Sequence, residues 1–169
     1  AQTLRAWMIQ AQVHRQRGRP QQARDNLESV LPALRGAGPA GAGVLAMALM
    51  DRALAAVDLG AYAEAERFAR ESVELATAHL GERDPQQAGS AATLALVYFH
   101  LTQFDLARDS GERALRLAIA AHGETPPHPR SWQQEGLFIR RCVPALLPQT
   151  RSVESAQPEW LLVLPDVAS

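Results

Sequence analysis

The stretch that decides the fold is ATLALVYFHLTQFDLARDSGERALRLAIAAHG, residues 92–123. In its first half, Leu94, Tyr98 and Leu101 recur at helical spacing, which predicts one helix. After a break at residues 102–103, small and apolar residues again form a single helical stripe: Phe104, Ala107, Gly111, Ala114, Leu115 and Ala118. The stretch therefore predicts a helical hairpin.

The composition of this hairpin predicts close packing of its two helices. Ala95, Ala107 and Gly111 are small, so the helix axes can approach one another. Tyr98 and Phe104 are the large side chains expected to fill the remaining space between them.

The same hairpin is found twice more upstream. A shift of 42 residues places Phe104 on Tyr62 and then on Pro20, and the rest of the second-helix stripe stays apolar or small. The first helices follow the same shift, with alanine at positions 95, 53 and 11. The sequence therefore predicts three hairpins in tandem.

Glycines mark the turns of this repeat. Gly18 and Gly60 lie at the break between the two helices of their hairpins, and Gly81 and Gly123 follow second helices. We expect Gly81 and Gly123 to supply the left-handed residue that ends a helix.

These residues resemble the tetratricopeptide repeat family. The resemblance is carried by the paired alanines of the first and second helices, by Gly60-Ala61-Tyr62 and by the string YAEAER at residues 62–67. The period of 42 with Gly81, Glu82 and Pro85 is similar to the variant found in kinesin light chains and many bacterial proteins. HEAT and armadillo arrays have similar periods, but the alanine pattern and the aromatic residue after the turn disfavour them.

The resemblance implies an all-α fold, a right-handed superhelix of three hairpins followed by a capping helix. Residues 1–130 would hold three repeats, at about 3–43, 44–86 and 87–129. Residues 131–147 have a capping box and an apolar stripe that predict the capping helix, and residues 148–169 form a tail. The glycine-rich join at residues 36–43 is expected to let the first repeat pivot.

Composition limits the classes of function. The formal net charge is -1 and all 17 basic residues are arginine, so we expect no nucleic-acid partner and no lysine chemistry. The single Cys142 excludes an internal disulfide, and the five histidines have no metal-ligand spacing, so neither a metal nor another cofactor is predicted. No uninterrupted apolar run has the length of a membrane span, which predicts a cytoplasmic protein without membrane insertion.

In the family, the first helices line a concave face where peptides bind. The resemblance places twelve residues of this chain on that face: Met8, Gln12, Arg15, Met47, Met50, Asp51, Leu54, Asp58, Thr93, Leu96, Phe99 and His100. Methionines with Leu and Phe suit an apolar or amphipathic partner segment, although such a stripe is equally compatible with core packing. A clamp for a terminal carboxylate is not expected, since the chain has no lysine and its only asparagine, Asn26, falls on a second helix. Asp51 and Asp58 are otherwise expected on a solvated helix face.

Two hypotheses for function remain open. The first is a non-catalytic module that binds a protein or peptide partner and acts as a scaffold. The second is a regulatory or self-association segment of a larger bacterial signalling protein, such as a kinase or transcription activator, which the absence of an initial methionine favours. The apolar tail segment is expected to pack on the repeats of its own chain or of a second copy through Trp160, Leu161, Leu162, Val163 and Leu164. No arrangement of residues typical of an enzyme is found.

Overall fold

The fold of residues 4–122, the part of the chain that the computed structural model describes, is built from helices alone. The six α-helices are α1 Leu4–Gln16, α2 Pro20–Arg35, α3 Ala42–Asp58, α4 Tyr62–His79, α5 Pro85–His100 and α6 Phe104–His122. A short 3-10 helix, Pro39–Gly41, precedes α3. The all-α prediction is confirmed for this part of the chain. We call α1–α2 hairpin 1, α3–α4 hairpin 2 and α5–α6 hairpin 3.

Local sequence explains where the helices start. The second helices begin at Pro20, Tyr62 and Phe104, which are 42 residues apart. Pro20 occupies the first turn of α2, where a backbone N–H has no partner within the helix. Asp84 caps α5 by accepting a hydrogen bond from the backbone N–H of Gln86 at 2.9 Å.

The turns inside the hairpins share one backbone feature. Gly18, Gly60 and Thr102 are equivalent in the repeat, and all three adopt positive φ angles, 68°, 72° and 59°. Glycine tolerates this left-handed conformation, whereas a β-branched threonine is strained in it. The expectation for Gly81 is wrong: α4 ends at an extended Leu80, and Gly81 has no positive φ.

We expect Thr102→Gly to stabilise the protein. Relief of the left-handed strain exceeds the extra chain entropy of glycine, and the net gain in unfolding free energy should be about 1 kcal/mol. Urea unfolding followed by circular dichroism measures the change. Thr77→Gly, inside α4, is the control and should lower stability, because glycine disfavours the helix and the hydrogen bond from Arg113 is lost. Equal destabilisation by both changes would contradict the prediction.

The first helices of successive hairpins are direct neighbours, α1 against α3 and α3 against α5. At Gly89 of α5, a Cβ atom would lie 3.3 Å from the sulfur of Met50 in α3, so glycine allows this close approach. The second helices are instead linked by long side chains. Arg35 donates to both carboxylate oxygens of Glu71 at 2.8 and 2.9 Å, and Arg113 donates to the hydroxyl of Thr77 at 2.8 Å.

Small side chains dominate the core of hairpins 2 and 3. Ala46, Ala53 and Ala69 are fully buried, as predicted for helices that pack closely. Ser72 of α4 donates to the carbonyl oxygen of Ala46 at 2.8 Å, and its hydroxyl lies 2.8 Å from that of Ser90 in α5. These two hydroxyls therefore join three helices without leaving a buried polar group unpaired.

One packing expectation is wrong. Tyr98 is buried between the helices, but Phe104 is 55% exposed and does not fill the space between α5 and α6. Leu115 and Ile119 of α6 are also exposed, at 40% and 45%. The cause is position: Phe104 starts its helix at the edge of the turn, and the two other residues lie on the side of α6 facing away from α5.

The segment Pro39–Asp58 has the length and hydropathy of a membrane span, although charged residues interrupt it. Its mean hydropathy is 1.5, and 56% of the window is buried inside the fold. The central helix of a packed helical protein passes the same test, so this finding by itself is weak evidence for a membrane.

The join between hairpins 1 and 2 is shorter than the sequence suggested. α2 ends at Arg35 and α3 begins at Ala42, so Ala42 and Gly43 are helical. The predicted capping helix at residues 131–147 and the apolar tail segment lie outside the described residues and stay predictions.

Candidate functional site

Burial divides the twelve residues predicted for the concave face into three groups. Met8, Asp51, Leu54 and Thr93 are buried and contribute to packing. Five others are half-buried: Gln12, Arg15, Met50, Leu96 and Phe99. Met47, Asp58 and His100 are exposed. A partner could therefore touch eight of the twelve side chains directly, whereas the buried four would act through the shape of the surface.

Met50 lies at the contact between two first helices. Its sulfur accepts a hydrogen bond from the side-chain amide of Gln86 at 3.7 Å, and it packs beside Gly89. Thr93, one turn after Gly89, donates its hydroxyl to the Gly89 carbonyl at 3.0 Å. This part of the predicted face is held rigid by α3–α5 contacts.

Aromatic rings cluster where hairpins 2 and 3 meet at their turns. The His100 ring stacks on Tyr62 with centroids 5.0 Å apart and planes at 11°. Phe99 makes edge-on contacts with His100 at 6.0 Å and with Phe104 at 5.9 Å. His100 and Phe99, both predicted for the face, are thus brought together, and Tyr62 and Phe104 extend the cluster.

Hairpins 1 and 2 meet through charged groups at the corresponding place. Arg15 of α1 donates to Oδ2 of Asp58 at 3.3 Å, and both side chains line an open cleft of about 390 Å³ with Gln16, Gly18 and Pro20. Asp58 and His100 are equivalent in the repeat, since they are 42 residues apart. Each contacts the preceding hairpin, one by charge and the other by ring stacking.

Asp51 is not on a solvated face, contrary to the expectation from sequence. Its side chain is only 5% exposed, and its Oδ1 has no hydrogen-bond partner among the described residues. Burial raises the pKa of the Asp51 carboxyl to about 6, while the charge of Arg15 offsets part of that rise. Asp51 and Asp58 lie two helical turns apart on the same side of α3. Arg15 donates a hydrogen bond to Asp58, and its charge also lowers the pKa of Asp51.

The pair Arg52–Glu64 was not identified from sequence. Arg52 is 3% exposed, its Nη2 donates to Oε1 of Glu64, and its guanidinium lies 4.8 Å from the centroid of the Phe68 ring. The sequence did contain an indication of this buried pair, because the charged residues Asp51 and Arg52 lie in the middle of the mostly apolar helix α3. A charged residue inside such a helix indicates a buried pair.

Two further polar features are an ion pair along α4 and the position of Asn26. Glu66 and Arg70 form an i,i+4 ion pair at 3.5 Å. Asn26 lies on α2, away from the first helices. Within residues 4–122, no group of three or more His, Cys, Asp or Glu side chains is placed to hold a metal ion.

Comparison with known proteins identifies a repeat family. A family model described as Tetratricopeptide repeat matches residues 44–120, which cover almost all of hairpins 2 and 3. No curated protein sequence is significantly similar to the chain. Residues 44–120 are therefore similar to tetratricopeptide repeats, which are non-catalytic and generally mediate protein–protein interactions.

Proposed function

We propose that residues 1–130 form three tetratricopeptide repeats whose first helices bind a peptide or helix from a protein partner. The observation that carries this proposal is the unequal spacing of the helices. First helices pack directly on one another, with Gly89 of α5 close beside Met50 of α3, whereas long arginine side chains link α2 to α4 and α4 to α6. An array that is narrower on the side of its first helices curves toward them, and such arrays bind partners on the concave side.

The chemistry of the accessible residues suggests the class of partner. Met47 of α3 is 40% exposed, and Leu96 and Phe99 of α5 are half-buried, so apolar area on both first helices is available for contact. Flexible methionine side chains adapt to helices of varied sequence. The partner segment is accordingly amphipathic, with its apolar side against α3 and α5. The kinesin-light-chain-like character of the repeats remains a prediction.

The exposed Met47 provides the test of this face. Met47→Arg introduces a charge that can remain hydrated, so the fold should persist while an apolar partner loses its contact. In a pull-down from host extract, the captured partner should be lost, and its purified form should bind at least about tenfold more weakly in calorimetry. Leu54→Arg would be a poor test because Leu54 is only 9% exposed.

Leu106→Arg is the matched control. Leu106 is 47% exposed on α6, a second helix, so the same substitution there should leave partner binding unchanged. Equal loss of binding in the two variants, or binding unaffected by Met47→Arg, would place the interaction elsewhere on the molecule.

A second candidate function, self-association within a larger protein, is supported by α6. Its exposed side carries Phe104, Leu115 and Ile119, which would bury apolar area against another element. That element would be the predicted capping helix at residues 131–147 or the same face of a second copy. Sedimentation over a range of concentrations distinguishes them, since only the second copy gives a concentration-dependent mass.

A further inference from the structure

We infer that the two ends of the array are complementary, and that hairpin 3 of one copy docks on hairpin 1 of a second copy in the way that successive hairpins dock inside the chain. The inference rests on the second candidate function, self-association, and is independent of partner binding by the first helices. The contact would be head-to-tail, between different surfaces of the two copies.

One stripe of each first helix faces the second helix of the preceding hairpin. The direct evidence is in α5, where the hydroxyl of Ser90 lies 2.8 Å from that of Ser72 in α4. Thr93 and Val97 continue the stripe of Ser90 along α5, and all three residues are at most 2% exposed. The equivalent residues of α3, which are 42 positions earlier, are buried as well: Ala48, Asp51 and Ala55.

The same stripe is open in α1. A further shift of 42 places it at Ala6, Ile9 and Val13, and all three residues are exposed. Ile9 is 57% exposed and Val13 is 36% exposed, although both are apolar. Hairpin 1 therefore presents the surface that a preceding second helix covers in hairpins 2 and 3. We call this surface, Ala6, Ile9 and Val13, the entry side.

Hairpin 3 is open at the other end of the array. Phe104 is equivalent to Tyr62, whose ring stacks on His100 of the following hairpin, yet Phe104 is 55% exposed. Leu115 is equivalent to Leu31 of α2, which is 4% exposed, whereas Leu115 is 40% exposed. Phe104 and Leu115 lie on one side of α6, three turns apart. We call this surface the exit side, because its equivalents in hairpins 1 and 2 face the following hairpin.

The entry side and the exit side fit each other because each is a copy of a surface that meets its counterpart inside the chain. In that register Ala6 of one copy would meet Ala114 of the other, at the positions of Ser90 and Ser72. Two alanines keep the close approach of the helices and leave no buried polar group unpaired. The contact would also bury the exposed apolar side chains of both surfaces, which favours association.

The predicted capping helix at residues 131–147 competes for the exit side. A shift of 42 places Trp132 of this segment at the position of Ser90. An indole ring is too large for the close approach that Ser72 and Ser90 make, so this segment would overpack the exit side in the register of the repeat. The α1 helix of a second copy, with Ala6 at that position, fits the same register.

Sedimentation equilibrium of the full-length chain, over about 1–200 µM, tests for this contact. We expect the average mass to rise beyond that of a dimer with concentration, because a head-to-tail contact leaves one open surface at each end of the assembly. Ile9→Arg and Leu115→Arg each place a charge on one of the two surfaces and should weaken self-association at least about tenfold. Leu106→Arg, on the opposite side of α6, and Met47→Arg, on the proposed partner-binding face, should assemble as the wild type does.

A mixture of two variants tests the head-to-tail geometry itself. Ile9→Arg keeps an intact exit side and Leu115→Arg keeps an intact entry side, so an equimolar mixture should form a one-to-one dimer and nothing larger. Circular dichroism verifies that both variants are folded. The inference is overturned if the wild type stays monomeric, if the mixture stays monomeric, or if Ile9→Arg alone assembles as the wild type does. The last result would keep self-association through α6 and remove only the head-to-tail contact.

Discussion

Arg52→Ala should lower the free energy of unfolding by about 3–4 kcal/mol. The guanidinium is 3% exposed, bonded to Glu64 and positioned over the Phe68 ring. Truncation removes all of these contacts and leaves a cavity beside α4. It also leaves Glu64 without its cation, although that carboxylate is 32% exposed and can be hydrated in part.

Urea unfolding at neutral pH, followed by circular dichroism, measures this loss. Arg52→Met fills the same space without a charge, and because buried ion pairs gain little over apolar packing it should stay within about 1.5 kcal/mol of the wild type. Arg70→Ala removes an exposed partner of Glu66, at 58% exposure, and should cost less than about 1 kcal/mol. If Arg52→Ala costs no more than Arg70→Ala, the buried pair is not a source of stability.

The sequence predicted the helices well because the repeat supplies three copies of each signal. Second helices start at positions 20, 62 and 104, where the period placed them, and Gly18 and Gly60 lie in the turns as expected. The left-handed turn was recognisable from its glycines in two hairpins. It was hidden in the third, since threonine occupies position 102. Equivalent positions in a repeat can therefore predict the backbone conformation of a residue, here a positive φ at Thr102, even where its residue type disfavours that conformation.

Side-chain exposure was less predictable than helix position. The apolar stripe of a first helix predicts which residues lie on the same side of the helix, but not how exposed each of them is. Met47 and Leu54 lie on the same side of α3, yet Met47 is 40% exposed and Leu54 is 9% exposed. The difference depends on how α5 and α1 pack beside α3, which involves residues some 40 positions away in the sequence. The predicted face is consequently a mixture of contact residues and packing residues.

The charged residues of α3 show the same limit. Asp51 and Asp58 have identical chemistry and lie two turns apart, yet Asp51 is buried and Asp58 is exposed. Spacing along the helix gave no basis for separating them. Packing of the neighbouring helices around α3 decides which carboxylate is hydrated, so only the tertiary structure could separate the two.

Asp51→Asn should stabilise the protein at neutral pH and remove one component of its pH dependence. The folded-state pKa of about 6 exceeds the ordinary aspartate pKa of 3.8, so the folded state binds more protons between these values. The free energy of unfolding therefore falls as the pH rises through this window and is constant above it as far as this group is concerned. The full shift corresponds to roughly 3 kcal/mol, an upper limit because Arg15 and local relaxation reduce the cost.

Urea unfolding at about pH 4.5 and about pH 7.5 tests this sign. Asparagine has the shape of the protonated acid but does not titrate. Because the carboxyl is already mostly ionised in the unfolded chain at about pH 4.5, the variant should exceed the wild type by about 1 kcal/mol at the lower pH and by about 2–3 kcal/mol at the higher pH. Asp58→Asn is the control, since its exposed carboxylate should give no comparable gain at neutral pH. A lower stability of Asp51→Asn at about pH 7.5 would mean that ionised Asp51 stabilises the fold through Arg15. In that case the attraction of ionised Asp51 to Arg15 outweighs the cost of its burial.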